Sequence, residues 1–284
     1  MRSETASEAR RRRRAFASAV ASFRRVSRVA DEIRRRLHEH LDPVRIDPEV
    51  VLDLGSGAGE STVALARRYS GASVIGLDFA LPFLLAARPG RPAIFRRYSY
   101  VCADAGTLPF SDERFQLVCA NLAPAAFLDP PRWIGEMARV LDGGGLACFS
   151  TFGPDTFTEL RSCWAEVDAS PHVHDFPDMH DVGDELMRAG LSDVVVDAER
   201  LTVEEPDFRS LVDAVKASGA ANTASDRRRG LTTPARLERV ARIYESLRRN
   251  GALPVTLEVV YAHAWKPERR PGSVLVEGPA RSVD

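Results

Sequence analysis

Eight consecutive residues concentrate the chemistry of this chain: Asp53-Leu54-Gly55-Ser56-Gly57-Ala58-Gly59-Glu60. Three alternating glycines let the backbone turn sharply and pass close under a ligand, because no Cβ stands in the way. A dinucleotide loop needs glycine at the sixth position of Gly-x-Gly-x-x-Gly. Counted from Gly55, that position holds Glu60, and a carboxylate beside a helix N-terminus repels a pyrophosphate that seeks the same place. The lysine and hydroxyl pair of a phosphate-binding P-loop is missing too. The pattern suits a nucleotide-like ligand that carries an ammonium group and no phosphate. Three more polar residues follow in order: Asp78, then Asp104 in Cys102-Ala103-Asp104-Ala105-Gly106, then Asn121 in Ala120-Asn121-Leu122.

The hydrophobic pattern predicts what holds these residues. Val50 to Leu54 is a short continuous apolar run ending in glycines, as a buried parallel strand requires. Ser73 to Leu77, Tyr98 to Cys102, Phe115 to Ala120 and Leu146 to Thr151 read the same way, and each polar residue sits at a strand end. Helices are expected over Glu60 to Tyr69 and Trp133 to Leu141, the latter closed by Gly143-Gly144-Gly145. Later come helices over Thr156 to Val167, His180 to Ala189, Pro206 to Ser218 and Pro234 to Asn250, with strands over Val194 to Thr202 and Leu257 to Trp265. Strands alternating with helices imply an α/β fold: a doubly wound, mostly parallel seven-stranded sheet. Helical insertions at about 155–190 and 206–250 are expected as a lid over its carboxyl edge, where open sheets of this kind bind ligands. Ahead of this domain (46–267) stands an N-terminal helical segment (1–45), with Phe16, Val20, Phe23, Val26, Val29, Ile33 and Leu37 at three- and four-residue spacing. Residues 268–284 are expected to form a flexible tail.

Val51 to Glu60 resembles motif I of the class I S-adenosylmethionine-dependent methyltransferases. The resemblance implies that Asp53 orients the methionine end of the cofactor while Gly55, Gly57 and Gly59 pass beneath it. It assigns Asp78, 19 residues beyond Gly59, to the ribose hydroxyls, with Phe79 beside it. Asp104 matches the acidic residue that meets the adenine amino group, with Ala105 against the ring. Asn121 matches the position near the methionine and the transferable methyl.

The second half resembles something narrower. Ser150 to Arg161 (STFGPDTFTELR), Pro171 to Phe176 with Asp178 to Asp181, Leu211 to Asn222, Arg229 to Thr232 and Leu253 to Tyr261 together are similar to the malonyl-acyl-carrier-protein O-methyltransferase family of biotin synthesis. The similarity runs from about Arg14 to Lys266. It implies methyl transfer to the free carboxylate of a malonyl thioester. A carboxylate is already nucleophilic, so neither a catalytic triad nor a metal is expected, and catalysis rests on proximity, in-line orientation and desolvation. The buried malonyl carboxylate needs a cation, and the planar fork of Arg161 is the candidate; His172 and His174 are candidates to line the same pocket. The chain departs from the family in three places. Phe23 stands where a tyrosine is usual, Pro124-Ala125 replaces a bulky hydrogen-bonding stretch, and Ser56 replaces a cysteine. These departures leave open a class I methyltransferase with another acceptor. The arginine-hydroxylating assembly factors, which share parts of the second-half pattern, leave open a role without methyl transfer.

Net charge is −1 from 39 basic and 40 acidic residues, and only Lys216 and Lys266 of the basic set are lysines. A neutral chain whose arginines are not interleaved with aromatics is a poor nucleic-acid binder. Local clusters are another matter. The family's substrate is carried on a strongly acidic protein, and Arg24, Arg25 and Arg28, or Arg227 to Arg229, are candidates to steer it. Cys102, Cys119, Cys148 and Cys163 lack metal or redox spacing and read as reduced core thiols. No apolar stretch approaches the roughly 18 residues of a membrane span, and no signal core follows the N-terminal arginines. A cytoplasmic monomer is expected.

Overall fold

The computed structural model describes residues 23–87, 97–122, 130–170, 172–173, 175–217 and 233–268. The Arg10–Arg14 and Arg227–Arg229 clusters, Pro124-Ala125, Pro171, His174, the tail beyond 268, and the side chains of Phe23, Arg24 and Arg25 lie outside the described residues. Five strands run parallel: β1 (Val50–Leu54), β2 (Ser73–Asp78), β3 (Tyr98–Cys102), β4 (Phe115–Asn121) and β5 (Leu141–Phe152). Two longer strands, β6 (Ser192–Glu205) and β7 (Leu253–Trp265), complete a sheet of order β3-β2-β1-β4-β5-β7-β6, with β7 antiparallel to both neighbours. This is the doubly wound, mostly parallel seven-stranded sheet expected. Its strand order reverses between β1 and β4, and such a switch point opens a crevice at the carboxyl ends.

Period-two alternation sends neighbouring residues to opposite cores. Val51, Leu117, Cys119, Leu146 and Cys148 share one core with Ile33 and Leu37 of α1 (Phe23–Glu39), with Leu41 just beyond it, and with Leu65 of α2 (Glu60–Arg68). Leu52, Leu54, Val118, Ala120 and Phe149 share the other with Trp133, Ile134 and Met137 of α4 (Pro130–Val140). Between β2 and β3 lies α3 (Leu81–Ala86), a six-residue helix with proline in its first turn. Sequence periodicity could not announce so short a helix.

The N-terminal segment is not a separate appendage where it is described. Ile33, Leu37 and Leu41 are 0–1% exposed, and burying each such side chain is worth about 1.5–3 kcal/mol. Arg36 pairs with Glu199 of β6, and Arg68 bonds the His38 carbonyl at 3.2 Å and Asp42 at 2.7 Å.

The 155–190 insertion divides. Its first part, α5 (Thr158–Ala165), stands beyond the end of β5, while α6 (Met179–Arg188) is an ordinary crossover helix on the sheet face. Val182 and Leu186, one turn apart, bury that face of α6 in the same core as α4. Cys102 corrects the expectation of four core thiols. It ends the edge strand β3 and is exposed, whereas Cys119, Cys148 and Cys163 are buried.

β6 and β7 outrun the parallel strands. β5 last pairs with β7 at Phe152 and Val259, but β6 and β7 continue from Glu199 and Val259 out to Glu205 and Leu253. This ribbon projects past the carboxyl edge and carries α5, α7 (Phe208–Ala217) and α8 (Pro234–Glu245). Phe157 N–H bonds the Thr256 carbonyl at 2.8 Å, and the Tyr244 hydroxyl bonds the Pro254 carbonyl at 2.8 Å.

Candidate active site

The carboxyl ends of β3, β2, β1 and β4 lie side by side, so Asp104, Asp78, the glycine loop and Asn121 form one continuous rim. Gly55, Gly57 and Gly59 all have positive φ, at 75°, 52° and 91°. The Gly55 and Ser56 N–H groups both donate to the Leu77 carbonyl, at 2.7 and 3.0 Å, which ties the loop to β2.

Asp53 is 1% exposed beneath this loop. Thr62, on α2, donates its hydroxyl to Asp53 Oδ2 at 2.5 Å. Asp53 Oδ1 and Ser56 Oγ are buried with no hydrogen-bond partner among the described residues. Burial pushes the Asp53 carboxyl up to about 6, against the Thr62 hydroxyl, which stabilises the anion. A buried carboxylate with an oxygen to spare is a receptor for a cation.

Asp78 accepts the Gly57 N–H at 3.0 Å on Oδ2 and the Ala80 N–H at 2.7 Å on Oδ1. Burial raises its pKa while the two N–H bonds oppose the rise. Each oxygen retains a lone pair, so the carboxylate can hold the loop and still accept a diol. Phe79 follows directly and is half-buried. Asp104 is fixed by its own turn, with the Gly106 N–H on Oδ1 at 2.8 Å, and Ala105 beside it is 1% exposed.

Asn121 does more than its sequence position announced. Its amide donates to the Ala30 carbonyl of α1 at 3.0 Å and accepts from the Ser150 hydroxyl at 2.9 Å. Ser150 Oγ in turn accepts the Leu122 N–H at 3.0 Å. The rim residue is thereby a latch between the N-terminal helix and the ends of β4 and β5.

Arg161, on α5, stands over a separate cleft of about 490 Å³. Trp164, Asp168, His172, Val173 and Asp175 line it with Arg161, so Arg161 and His172 do share a cavity. Arg161 is held from three sides: Nε donates to the Thr156 carbonyl at 3.2 Å, Nη1 pairs with Asp175 at 3.0 Å, and the guanidinium lies 6.0 Å from the Phe176 ring centroid. Asp175 is itself 94% exposed, so that pair is weak and exchangeable. His172 is packed as wall. Its ring stacks on Trp164 at 3.5 Å between centroids, and Nε2 bonds Asp168 Oδ1 at 2.8 Å.

Sequence reasoning missed Thr62, Tyr100, Trp164 and Asp168. None belongs to a spacing motif, although Trp164 lies one helical turn beyond Arg161 and so shares its face. Tyr100 could be found only in space: its ring lies under Gly59 and Gly76, where an added Cβ would come within 2.2 and 2.7 Å of it. No group of three or more His, Cys, Asp or Glu residues that could hold a metal ion occurs among the described residues.

A glycine loop at the switch point, an anionic receptor under it and an acid at the ends of β2 and β3 define a methyltransferase of the class I fold. Residues 52–149 match the family described as methyltransferase domain. The YcgJ protein of Bacillus subtilis shares the fold, with a TM-score of 0.57 at 17% identity over 82% of this chain and 98% of that one.

Two curated relatives reach further along the chain. The malonyl-(acyl-carrier protein) O-methyltransferase of Halorhodospira halophila is 43% identical over 89% of this chain and 86% of its own length. That of Methylovorus sp. is 40% identical over 91% and 89%. The chain belongs to the malonyl-acyl-carrier-protein O-methyltransferase family. The spare oxygen of Asp53, the open lone pairs of Asp78 and the glycine cradle all fit S-adenosylmethionine, the methyl donor of this class.

Proposed function

We propose that this protein methylates the free carboxylate of malonyl-acyl-carrier protein, the ester-forming step of biotin synthesis. The observation that carries the reading is the identity of about two residues in five to enzymes of that name across nine-tenths of the chain, the substrate half included. S-adenosylmethionine supplies an electrophilic methyl group on a cationic sulfur. Asp53 receives its ammonium end, and Asp78 accepts the ribose hydroxyls while keeping the loop closed. Asp104 and Ala105 receive the adenine.

The acceptor needs no base, because a malonyl carboxylate at neutral pH is already ionised. What it needs is a counter-charge away from water and an approach in line with the breaking bond. Arg161 provides the charge as a two-pronged donor, exchanging its exposed partner Asp175 for the substrate. The Trp164–His172 stack forms an apolar wall beside it. Asn121 keeps α1 seated over the rim and so keeps water from the methyl.

The test is incubation with labelled cofactor and malonyl-acyl-carrier protein. Label in a base-labile methyl ester on the malonyl group is expected. Label on another acid, with none on malonyl, overturns the reading. Arg161→Ala is expected to lower turnover about 100-fold or more, from about 3 kcal/mol of lost charge-assisted bonding, with cofactor affinity unchanged. Full activity of that variant removes Arg161 from its assigned role.

A further inference from the structure

We propose that the exposed arginine flank of α8 docks the acidic carrier protein that delivers the acyl chain; the inference rests on the function just proposed. Three arginines, Arg236, Arg239 and Arg242, recur every third residue along α8. At about 100° per residue each step turns the row by about 60°, so it winds from the cleft side of the helix to its outer face. Arg236 reaches Asp168, a wall residue of the Arg161 cleft, at 3.5 Å. The row therefore starts at the rim of the cleft and leads away from it. Arg239 and Arg242 are exposed and make no ion pair with any described residue.

The local charge is strongly one-sided. From 236 to 249 there are five arginines against Glu238 and Glu245, and Glu245 is taken by Arg248. The inner face of the helix is fixed by buried Val240 and Tyr244, and Arg239 and Arg242 point away from it. The outward charge of Arg239 and Arg242 is complementary to a helix of acidic residues. Arg34, Arg35 and Arg36 of α1 differ. Arg34 is engaged by Asp31, Arg35 by Glu32 and Glu39, and Arg36 by Glu32 and Glu199. Those three charges are spent within the fold, whereas Arg239 and Arg242 face outward.

The test uses Arg239→Glu/Arg242→Glu in the full chain, with Arg114→Glu as control. Arg114 is an exposed arginine just ahead of β4, at the amino end of the parallel strands and away from their carboxyl ends. Binding of carrier protein bearing its prosthetic arm is measured by fluorescence anisotropy at low and high salt. Methyl transfer is measured to malonyl-carrier protein and to malonyl-pantetheine, which has the arm without the protein. The double variant is expected to bind the carrier about tenfold more weakly and to lose most of the salt dependence of binding. Its KM for malonyl-carrier protein rises in parallel, while transfer to malonyl-pantetheine stays at the wild-type level and Arg114→Glu behaves as wild type.

Unchanged carrier affinity in the double variant overturns the proposal, as does a wild-type protein that binds no carrier. Equal losses on both acceptors also overturn it, because they report damage to the site. If Arg239 and Arg242 govern carrier binding but no malonyl group is methylated, the docking surface stands and the proposed function falls. If malonyl groups are methylated and charge reversal changes nothing, the function stands and the docking surface falls.

Discussion

Gly59→Ala is expected to break the cofactor loop through two separable costs. The first is backbone strain: Gly59 sits at φ 91°, and a residue with a Cβ pays about 1–2 kcal/mol in the left-handed region. The second is collision. The new Cβ would lie 2.2 Å from the Tyr100 hydroxyl oxygen, 3.0 Å from its Cζ and 3.1 Å from Ala87 Cβ. The ring has no room to retreat, because it already rests on Gly76, where a Cβ would meet Tyr100 Cδ1 at 2.7 Å. Overpacking of this kind costs about 1–3 kcal/mol. The sum, about 2–5 kcal/mol, is a large share of a typical domain's 5–15 kcal/mol. Tyr100→Phe deletes the atom at 2.2 Å and leaves contacts of 3.0 and 3.1 Å, so the double variant should recover about 1–2 kcal/mol of the collision and none of the strain. Urea denaturation of wild type, both single variants and the double variant gives the coupling, and calorimetric titration with S-adenosylmethionine gives the affinity. A Gly59→Ala protein with wild-type stability and affinity refutes the reasoning. So does a cycle in which Tyr100→Phe recovers nothing.

Cofactor affinity should fall about tenfold per pH unit below pH 6, because the ammonium end needs the ionised form of Asp53, which burial holds at about 6; titration calorimetry at pH 5 and 7 measures this, and equal affinities exclude Asp53 as the receptor. Stability of the cofactor-free protein should carry the opposite sign from this group. Its folded pKa lies above the ordinary 3.8, so the folded state holds the proton more tightly, and the Asp53 contribution declines as pH rises from about 4 to 6. Asn121→Ala removes the bonds to the Ala30 carbonyl and the Ser150 hydroxyl, a loss of about 1–3 kcal/mol. Amide exchange in α1 should quicken about tenfold or more while exchange in β6 and β7 is unchanged, and unaltered α1 protection contradicts the latch. Under native conditions a thiol reagent should modify Cys102 quickly. Cys119 should resist, since it is buried and its pKa is driven well up by the neighbouring Cys148 sulfur and by burial; rapid labelling of Cys119 would contradict its place in the core.

The cofactor end was readable because its constraints are local. A glycine loop between an apolar run and a helix allows few backbone paths, and Val50–Leu54, Tyr98–Cys102 and Phe115–Asn121 begin at the residues read from the sequence. The far end was read less well because its constraints come from tertiary pairing. β5 begins at Leu141, through the three glycines expected to close a helix, because Leu141 pairs with Phe115 and the register then shifts before Leu117 meets Leu146. β6 and β7 extend several residues beyond their apolar alternation because each supplies the other's hydrogen bonds. The Asn121 latch joins groups 91 residues apart, and the Trp164–His172 stack depends on the path of an irregular loop. No periodicity encodes either.

Glu205 and Leu253 are facing partners at the tip of the projecting ribbon. The chain leaves the sheet after Glu205 and returns at Leu253, and the described helices between them pack back on the fold: Leu211, Val240 and Tyr244 join the core that holds Ile33 and Val51. The two ends of this segment are already held at hairpin distance by the strands that flank it. None of the hydrogen bonds described at Asp53, Asp78, Asp104 and Asn121 comes from this segment, so an exchange for the counterpart of a relative has to keep only its core residues Leu211, Val240 and Tyr244. The donor end is built into the order of the sheet, whereas the α7–α8 excursion meets it through the core they share. Chimeras cut at 205 and 253 are the natural way to transplant carrier preference between members of the family.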